Sequence, residues 1–266
     1  MSPDRPLVLI GAGKMGGAML DGWLASGVDP ASVVVVDPQP DPAFETLRTP
    51  GLRVGDAPPA MPASIIVIAV KPHLVADVLP RLGPAIDGET LLVSIAAGVK
   101  LARLAESGAR AVVRAMPNTP ASVGKGATVG VAEGASEAQI AAADRLLSAV
   151  GKTWWLDEED LLDAVTGVSG SGPAYVFHMV EAMAAAGEAA GLPAELAAGI
   201  ARQTVVGAGA LLDESPLDPG TLRANVTSKN GTTAAALGVL RDSGRLGTLM
   251  EEAVAAATAR SRELGS

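Results

Sequence analysis

A short polar segment near the end of the chain carries more hydroxyl groups than a helix start requires. Residues 226–237 read Val-Thr-Ser-Lys-Asn-Gly-Thr-Thr-Ala-Ala-Ala-Leu, so four hydroxyl side chains fall within seven positions before an alanine-rich helical run. One Ser or Thr is enough to cap a helix N-terminus, because its oxygen accepts from a free backbone N–H group. An ordinary helix cap stays open as the alternative, but the excess of hydroxyls indicates a loop that holds a ligand.

A glycine-rich turn follows the first apolar run of the chain and precedes a helical pattern. In a dinucleotide-binding unit the first glycine permits a tight turn, the second lets the backbone approach a pyrophosphate, and the third allows close packing of helix on strand. The helix N-terminus adds free N–H groups and positive potential. A turn used only for packing is the alternative. The residues predicted to bind a cofactor here are Gly11, Ala12, Gly13, Lys14, Met15 and Gly16.

An acidic residue at the end of the second predicted strand bears on the choice of cofactor. Asp37 lies 21 residues after Gly16, where a carboxylate accepts from the adenosine ribose hydroxyls. A carboxylate there opposes a 2′-phosphate, and residues 38–40, Pro-Gln-Pro, supply no cation to hold one. The sequence therefore favours NADH. NADPH stays open, because Arg48 or Arg53 could fold back toward this position.

Two later strand ends predict further contacts with the same cofactor. Ala69-Val-Lys-Pro closes the third predicted strand, with proline at a plausible first helical position, and Ser94-Ile-Ala-Ala-Gly closes the fourth. Ligands of such sheets bind outside the carboxyl ends of the strands. The residues predicted to bind the cofactor are Ala69, Val70, Lys71, Pro72, Ala96, Ala97 and Gly98. A solvated loop lysine is the alternative at Lys71.

Short apolar runs that alternate with helical patterns predict an α/β sheet in the first part of the chain. The predicted strands are Leu7–Ile10, Val33–Asp37, Ile65–Val70, Thr90–Ile95, Ala111–Ala115, Thr128–Val131 and Thr153–Leu156. The predicted helices are Met15–Ser26, Leu74–Leu82, Lys100–Ser107 and one that a capping box at Ser136 and Gln139 opens. Runs without polar alternation are typical of parallel strands covered on both faces. We predict a Rossmann-type doubly wound sheet.

The periodicity becomes helical after about Glu158 and stays so to the end, with breaks at 191–193 and 215–219. We therefore predict two domains, a dinucleotide-binding domain over residues 1–156 and an all-α domain over residues 157–266. The later helices are apolar on most faces, which is typical of buried helices. In a chain of 266 residues, this pattern predicts burial against another subunit.

Composition excludes several classes of partner and site. Lys and Arg total 20 against 29 Asp and Glu, for a net charge of −9, and no basic run occurs, so neither nucleic acid nor an anionic membrane is expected as a partner. Cysteine is absent, which excludes disulfides and thiolate chemistry, and no metal site is expected. Apolar runs stay shorter than the roughly 18 residues of a membrane helix. With no signal-peptide pattern at the start, we predict a cytoplasmic protein.

The motifs named above, in the order in which they occur along the chain, resemble those of the pyrroline-5-carboxylate reductase family. The resemblance covers nearly the whole chain. The resemblance also includes Arg114-Ala-Met-Pro-Asn-Thr-Pro120 and Gly167-Val-Ser-Gly-Ser-Gly-Pro-Ala-Tyr175. It implies an oxidoreductase of proline biosynthesis that reduces 1-pyrroline-5-carboxylate to proline with NAD(P)H. It also implies an obligate homodimer with interlocked helical domains, often assembled into larger rings, and an active site at the subunit interface.

The resemblance implies a small cyclic imine with one carboxylate as substrate, and it assigns roles to the polar loop. A loop that enters a helix N-terminus can bind a carboxylate by backbone N–H groups and the helix dipole. The implied substrate-binding residues are Ser228, Lys229, Asn230, Gly231, Thr232 and Thr233. Thr233 is the implied catalytic residue, with its hydroxyl at the imine nitrogen. Asn118, with Thr119, would border the nicotinamide. A protonated imine is already electrophilic, so positioning matters more than a strong acid.

One departure from the family and one further motif leave alternatives open. The family usually has Pro-Gly where this chain has Lys229-Asn230, and Asn tolerates the left-handed backbone such a turn requires. Because Lys229 adds a cation beside the loop, a related cyclic imine stays open as the substrate. Ser169–Gly172 would back the active site by resemblance, and a small-residue helix cap is the alternative there.

Two other classes of protein are alternatives for this chain. A β-hydroxyacid dehydrogenase would carry a lysine soon after the Ser-Gly motif, but none occurs between Gly172 and Lys229. A non-enzymatic dinucleotide-binding redox sensor would keep the glycine turn without needing the polar loop. We expect His178 to be a core or interface residue and His73 to be a surface or cofactor-edge residue. The acidic run 157–160 should start a helix.

Overall fold

The computed structural model describes residues 1–265, apart from the side chain of Ala43. The chain forms two compact units. One, the α/β unit, contains Met1–Ser171 and the residues from Ala256 onward; the other, the helical unit, is Gly172–Ala255. Residues 157–171 thus pack with the α/β unit, although they follow the predicted boundary at residue 156. The functional division into residues 1–156 and 157–266 stays a prediction.

Within the described residues, the α/β unit forms an eight-stranded sheet. Its strands are β1 Leu7–Ile10, β2 Val33–Val36, β3 Arg53–Gly55, β4 Ile65–Ile68, β5 Leu91–Ser94, β6 Ala111–Met116, β7 Gly126–Glu133 and β8 Gly151–Trp155. The order across the sheet is β3-β2-β1-β4-β5-β6-β7-β8. Strands β1 to β6 are parallel, β7 is antiparallel to β6, and β8 is parallel to β7. The predicted Rossmann-type sheet is confirmed.

The central strands are buried on both faces, as their unbroken apolar sequences predict. Every residue of β1, β2, β4 and β5 is buried. One face packs against α1 Lys14–Ala25, which contributes Trp23, and α4 Glu137–Ser148, which contributes Leu146. The other face packs against residues such as Leu82 and Leu104, the second of which belongs to α3 Leu101–Ala105. The α/β unit therefore has a complete core of its own.

Two elements of this unit differ from the sequence prediction. Strand β3 was not predicted, because three residues with one apolar side chain, Val54, give no periodicity. The predicted helix 74–82 is a 3-10 helix at Pro72–Leu74, a short α2 at Val75–Val78 and a 3-10 helix at Leu79–Ala85. Prolines within this stretch prevent regular α-helical hydrogen bonding.

The capping box of α4 is confirmed. The Ser136 hydroxyl accepts from the backbone N–H of Gln139 at 3.3 Å, and the Gln139 side-chain oxygen accepts from the backbone N–H of Ser136 at 2.9 Å. The predicted acidic helix start is a 3-10 turn at Glu159–Leu161 that leads into α5 Leu162–Val165. A π-helical turn, Thr166–Gly170, follows α5.

The helical unit begins with α6 and ends within α10. Its elements are α6 Gly172–Ala189, α7 Ala194–Glu214, α8 Pro219–Asn225, α9 Thr232–Arg241 and α10 Arg245–Leu264, the last of which ends in the α/β unit. The predicted breaks at 191–193 and 215–219 separate α6 from α7 and α7 from α8. None of the helices described is both long and apolar enough to cross a bilayer.

Candidate active site

The predicted cofactor residues of the α/β unit lie along one edge of its sheet. The register pairs Ile10 with Val36 and with Ile68, and Ile68 with Ser94, so these four parallel strands end side by side. The segments that follow are Gly11–Gly16 after β1, Asp37 after β2, Ala69–Pro72 after β4, Ala96–Gly98 after β5 and Asn118 shortly after β6. The strand order reverses between β1 and β4, which is where ligands of such sheets bind.

The three glycines of the first turn have different surroundings. Gly11 has φ +99°, and a Cβ atom on it would lie 2.9 Å from the carbonyl carbon of Ala69. A Cβ on Gly16 would lie 2.1 Å from the carbonyl oxygen of Gly11, whereas one on Gly13 would meet nothing within 4 Å. The fold therefore requires Gly11 and Gly16, while Gly13 leaves open space beside the backbone. This cradle fits a pyrophosphate.

The start of α1 agrees with that fit. Its N-cap is Gly13, no side chain caps it, and its first turn contains no acidic residue. The N–H groups of the first turn and the positive end of the helix dipole are thus available to an anion. The turn and the helix together can hold the diphosphate of a dinucleotide.

Asp37, which follows β2, stabilises the glycine turn by a hydrogen bond. Its carboxylate accepts from the backbone N–H of Ala12 at 2.6 Å and from that of Gln39 at 2.8 Å. Arg53, one of the two arginines considered as a partner for a 2′-phosphate, makes contacts elsewhere. Arg53 donates to carbonyl oxygens of Pro3 and Ala31, which precede β1 and β2 and so lie toward the opposite edge of the sheet.

The turns after β4 and β5 are fixed by backbone contacts. Ala69 N–H donates to the carbonyl oxygen of Ile10 at 2.8 Å, and Pro72 opens a 3-10 helix with Lys71 at its N-cap. Lys71 is exposed. Gly98 has φ +77°, and a Cβ atom on it would lie 3.2 Å from the carbonyl oxygen of Leu264, so the end of α10 packs closely on this turn.

The side-chain amide of Asn118 connects three segments by hydrogen bonds. The amide oxygen accepts from the backbone N–H of Ala127 at 2.8 Å, and the amide nitrogen donates to the carbonyl oxygen of Ser169 at 3.1 Å. Asn118 thus ties the end of β6 to the start of β7 and to the π-helical turn. Its expected contact with the nicotinamide stays a prediction.

In the helical unit, the polar loop forms a tight turn before α9. The N–H of Gly231 donates to the carbonyl oxygen of Ser228 at 3.1 Å, and Asn230 has φ +60°. Positive φ at this third position is the geometry of a type II turn, which favours Pro-Gly at its centre. The expectation that Asn230 adopts a left-handed conformation is confirmed.

The hydroxyls of this loop do not cap the helix. Gly231 is the N-cap of α9, without a side-chain cap, and the first turn has no acidic residue. The interpretation as an ordinary Ser/Thr cap is therefore wrong. Thr227 donates to the carbonyl oxygen of Arg223 at 2.6 Å. Within the described chain, the hydroxyls of Ser228, Thr232 and Thr233 make no hydrogen bond, so they and the first N–H groups of α9 can bind a ligand.

Glu159 has a role that its local sequence does not signal. Its carboxylate accepts from the backbone N–H of Leu101 at 2.8 Å, at the start of α3, and pairs with the buried Arg114 at 2.9 Å. The acid thus stabilises another helix besides starting its own turn. Leu101 lies 58 residues earlier, so no local pattern could reveal the contact.

His178 is exposed on α6 in the single chain, and its Nδ1 lies 3.1 Å from the carboxylate of Glu181. The expectation of a core histidine is therefore wrong, and an interface position stays a prediction. His73 is exposed, which confirms the surface placement.

The fold and the glycine turn define a class: a Rossmann-type oxidoreductase that uses a nicotinamide cofactor and carries a helical unit after its sheet. Residues 6–98 match the family described as NADP oxidoreductase, coenzyme F420-dependent, and residues 159–264 match pyrroline-5-carboxylate reductase dimerisation. A pyrroline-5-carboxylate reductase from Pisum sativum is 43% identical over 99% of this chain and 97% of its own. The chain belongs to the pyrroline-5-carboxylate reductase family.

Solved structures of the family share the fold. A pyrroline-5-carboxylate reductase from Coxiella burnetii is 34% identical, with a TM-score of 0.90 over 99% of each chain. An enzyme from Plasmodium falciparum with NADP bound is 27% identical, with a TM-score of 0.80 over the full length of both chains.

Proposed function

We propose that this protein reduces the C=N bond of 1-pyrroline-5-carboxylate to L-proline, the last step of proline biosynthesis, by hydride transfer from a nicotinamide cofactor. The observation that carries the proposal is the start of α9. There an uncapped helix N-terminus lies beside the hydroxyls of Ser228, Thr232 and Thr233, which make no hydrogen bond to the part of the chain that the structure describes. Membership of the family supports the same reaction. A substrate with one carboxylate and one ring nitrogen matches a site with N–H and hydroxyl groups.

The loop residues bind and orient the substrate. The N–H groups at the start of α9 and the Ser228 hydroxyl bind the carboxylate, and the helix dipole favours its charge. A Cβ atom on Gly231 would lie 2.3 Å from the Ser228 oxygen, so only glycine leaves this hydroxyl its place. Thr233 accepts a hydrogen bond from the protonated imine nitrogen, which keeps its proton when the adjacent carbon gains the hydride. The bound cofactor supplies that hydride.

The α/β unit holds the cofactor. We assign the pyrophosphate to the turn from Gly11 to Gly16, the adenosine ribose to Asp37, and the nicotinamide half to the ends of β4, β5 and β6. In chain order these last segments contribute Ala69, Val70, Lys71 and Pro72, then Ala96, Ala97 and Gly98, and finally Asn118. Gly13 supports the assignment most directly, because the space beside it is open.

We further propose that NADH is preferred. The Asp37 carboxylate lies where a 2′-phosphate would bring negative charge, and its two hydrogen bonds to backbone N–H groups hold it there. Arg53 donates to Pro3 and Ala31, and Arg48 pairs with Glu45 at 3.0 Å. Asp37→Ser should therefore raise kcat/KM for NADPH relative to NADH. An unchanged ratio would remove Asp37 from cofactor selection.

The proposed assembly is an interlocked homodimer, with a larger ring as an extension. The match of residues 159–264 to a dimerisation family supports the dimer, as do the exposed apolar side chains of the helical unit. Cytoplasmic location stays a prediction from the sequence.

The decisive experiment combines a substrate panel with a matched pair of variants. Oxidation of NADH and NADPH is followed with five- and six-membered cyclic imino acids, and 1-pyrroline-5-carboxylate should give the highest kcat/KM. Thr233→Val should lower kcat about 10- to 100-fold, because hydrogen bonds to charged groups contribute about 1.5–3 kcal/mol. NADH affinity should not change. Thr227→Val is the control, since that hydroxyl is bonded within the preceding helix.

Other outcomes of the panel select other functions. Preference for a six-membered or substituted ring would favour a related cyclic imine, which the exposed cation of Lys229 beside the loop makes the second candidate. NADH binding without oxidation by any imine would favour a redox sensor. Unchanged turnover in Thr233→Val would remove Thr233 from the mechanism.

A further inference from the structure

The hydroxyl of Ser169 is buried, and no partner for it occurs within residues 1–265. A buried hydroxyl without a hydrogen bond costs free energy, because it has lost water and gained nothing. Such groups are rare in native proteins, and each calls for a physical explanation such as a bound molecule. A bound reactant would supply the missing partner.

Ser169 lies in a segment whose backbone is wider than a regular helix. It belongs to the π-helical turn Thr166–Gly170, and the N–H of Ser171 donates to the carbonyl oxygen of Thr166 at 2.8 Å. Single π-helical turns occur frequently at functional sites.

Two contacts place this turn at the carboxyl end of β6. Asn118 donates to the carbonyl oxygen of Ser169 at 3.1 Å. A Cβ atom on Gly170 would lie 2.7 Å from the terminal methyl group of Met116, the last residue of β6. Ser169 therefore lies at the same edge of the sheet as the glycine turn.

The strand order indicates which half of a dinucleotide this position faces. The glycine turn follows β1, and Asp37 follows β2 on one side of it, where the adenosine half belongs. The other half must extend the opposite way, across β4 and β5 toward β6. Ser169 lies beyond the glycine turn on that side, at the end where the nicotinamide belongs. The nicotinamide carboxamide has both a donor and an acceptor, and a serine hydroxyl can pair with either.

We propose that the Ser169 hydroxyl hydrogen-bonds the carboxamide of the bound nicotinamide and fixes the rotation of the ring. Asn118 is then a positioning residue that holds Ser169 at the end of β6. The proposal rests on the proposed function for its cofactor, but not for its substrate. It assigns Ser169 to cofactor binding, where the sequence had suggested only a residue behind the active site.

The experiment compares NADH with ADP-ribose, which lacks the nicotinamide ring. Ser169→Ala should raise the Kd for NADH about 5- to 10-fold, the effect of losing one hydrogen bond, and leave the Kd for ADP-ribose unchanged. Because the lost hydroxyl has no partner among the described residues, the melting temperature without ligand should not fall. Ser169→Thr, which keeps a hydroxyl, should restore most of the NADH affinity. The control is Ser148→Ala on α4, an exposed serine whose hydroxyl donates to Arg145 at 3.3 Å.

Each other result overturns the proposal. If the binding of NADH and of ADP-ribose were weakened equally, the variant would disturb the whole edge of the sheet rather than one contact with the nicotinamide. An unchanged NADH affinity with a raised KM for the imine would assign the hydroxyl to the substrate, and no change at all would assign it to water. A lower melting temperature without ligand would indicate a structural role. The NADH and ADP-ribose titrations use no imine, so their outcome does not depend on which imine the protein reduces.

Discussion

The two units of the chain bury their apolar residues to very different extents. The α/β unit covers its sheet on both faces, and large side chains there such as Trp23 and Leu20 are fully buried. In the helical unit, the hydrophobic side chains buried among the described residues are Ala197 and Ala201. Large apolar side chains there are exposed, among them Phe177 at 65% and Leu211 at 60%.

The contrast indicates where each unit obtains its stability. A unit with a complete core gains its hydrophobic free energy from its own chain, at about 25 cal/mol per Å² buried. A unit whose large apolar side chains remain exposed must gain it by association, because soluble proteins rarely leave contiguous apolar patches uncovered. The α/β unit should thus be stable by itself, and the helical unit should depend on the proposed second copy.

The largest expected effect is the loss of the dimer when this apolar surface receives a charge. Phe177→Asp should dissociate the protein, because aromatic side chains in interface cores contribute about 2–4 kcal/mol or more each, and a symmetric dimer contains the change twice. Activity should fall with the dimer. Light scattering across a range of concentrations measures the mass. The control is Met61→Asp, at a half-exposed apolar residue of the α/β unit.

A Phe177→Asp protein that keeps the mass, the stability and the activity of the parent would show that the exposed surface of α6 is not covered by a second copy.

A second test separates the fold of the α/β unit from its ligand binding. Gly16→Val should destabilise the unit by several kcal/mol, because its Cβ would lie 2.1 Å from a backbone oxygen. Gly13→Val should leave the melting temperature without ligand nearly unchanged, since nothing lies within 4 Å of its Cβ. It should nevertheless weaken NADH binding about 100-fold or more by blocking the pyrophosphate. Thermal unfolding and NADH titration measure the two effects, and retained NADH affinity in Gly13→Val would contradict the nucleotide site.

A third test concerns the buried ion pair of the α/β unit. Glu159→Ala leaves Arg114 buried without its partner and removes the acceptor at the start of α3, so stability should fall by about 2–3 kcal/mol. Denaturant unfolding followed by fluorescence measures the change, which should not depend on protein concentration. Glu45→Gln, in an exposed pair with Arg48, should change stability by less than about 1 kcal/mol. Equal effects of the two variants would contradict the role of Glu159.

The sheet and the cofactor edge could be predicted from the sequence because their signals are local. Four-residue apolar runs such as β1 and β4 have one stable environment, a parallel sheet covered on both faces. The glycine turn and the capping box of α4 each require particular residues at fixed spacings, and both were found. The short strand β3 carries no such pattern, because its pairing with β2 decides its conformation.

Contacts between distant residues could not be predicted. Glu159 accepts from a residue 58 positions earlier, and Asn118 donates to Ser169, 51 positions later. No periodicity or spacing encodes such pairs, since they depend on how whole elements pack. The same limit applies to the unpaired hydroxyl of Ser169, which in sequence looks like any other serine of a small-residue turn.

A fourth test concerns the turn before α9 in the helical unit. Lys229→Pro with Asn230→Gly fits the observed geometry, because φ +60° at residue 230 suits glycine and the preceding position suits proline. Stability should stay equal or rise by up to about 1 kcal/mol, since the unfolded chain loses freedom at proline. The KM for the imine should shift a few-fold through the lost cation, with kcat little changed. Identical kinetic constants would show that Lys229 and Asn230 are neutral.

The smallest expected effect is a pH-dependent contribution of one ion pair to the stability of the α/β unit. Arg5, just before β1, donates to Asp87, just before β5, at 2.7 Å, and this hydrogen bond, with one from the backbone N–H of Glu89, lowers the pKa of Asp87 to about 2. The folded state therefore favours the ionised carboxyl. The stabilisation is fully present above the ordinary pKa near 3.8 and is lost as the pH falls toward 2.

Asp87→Asn should lower the melting temperature slightly at pH 6, and the difference should close between pH 4 and 2 at every protein concentration. Asp56→Asn, in an exposed loop, is the control, and a difference that persisted at pH 2 would contradict the assignment to this carboxyl.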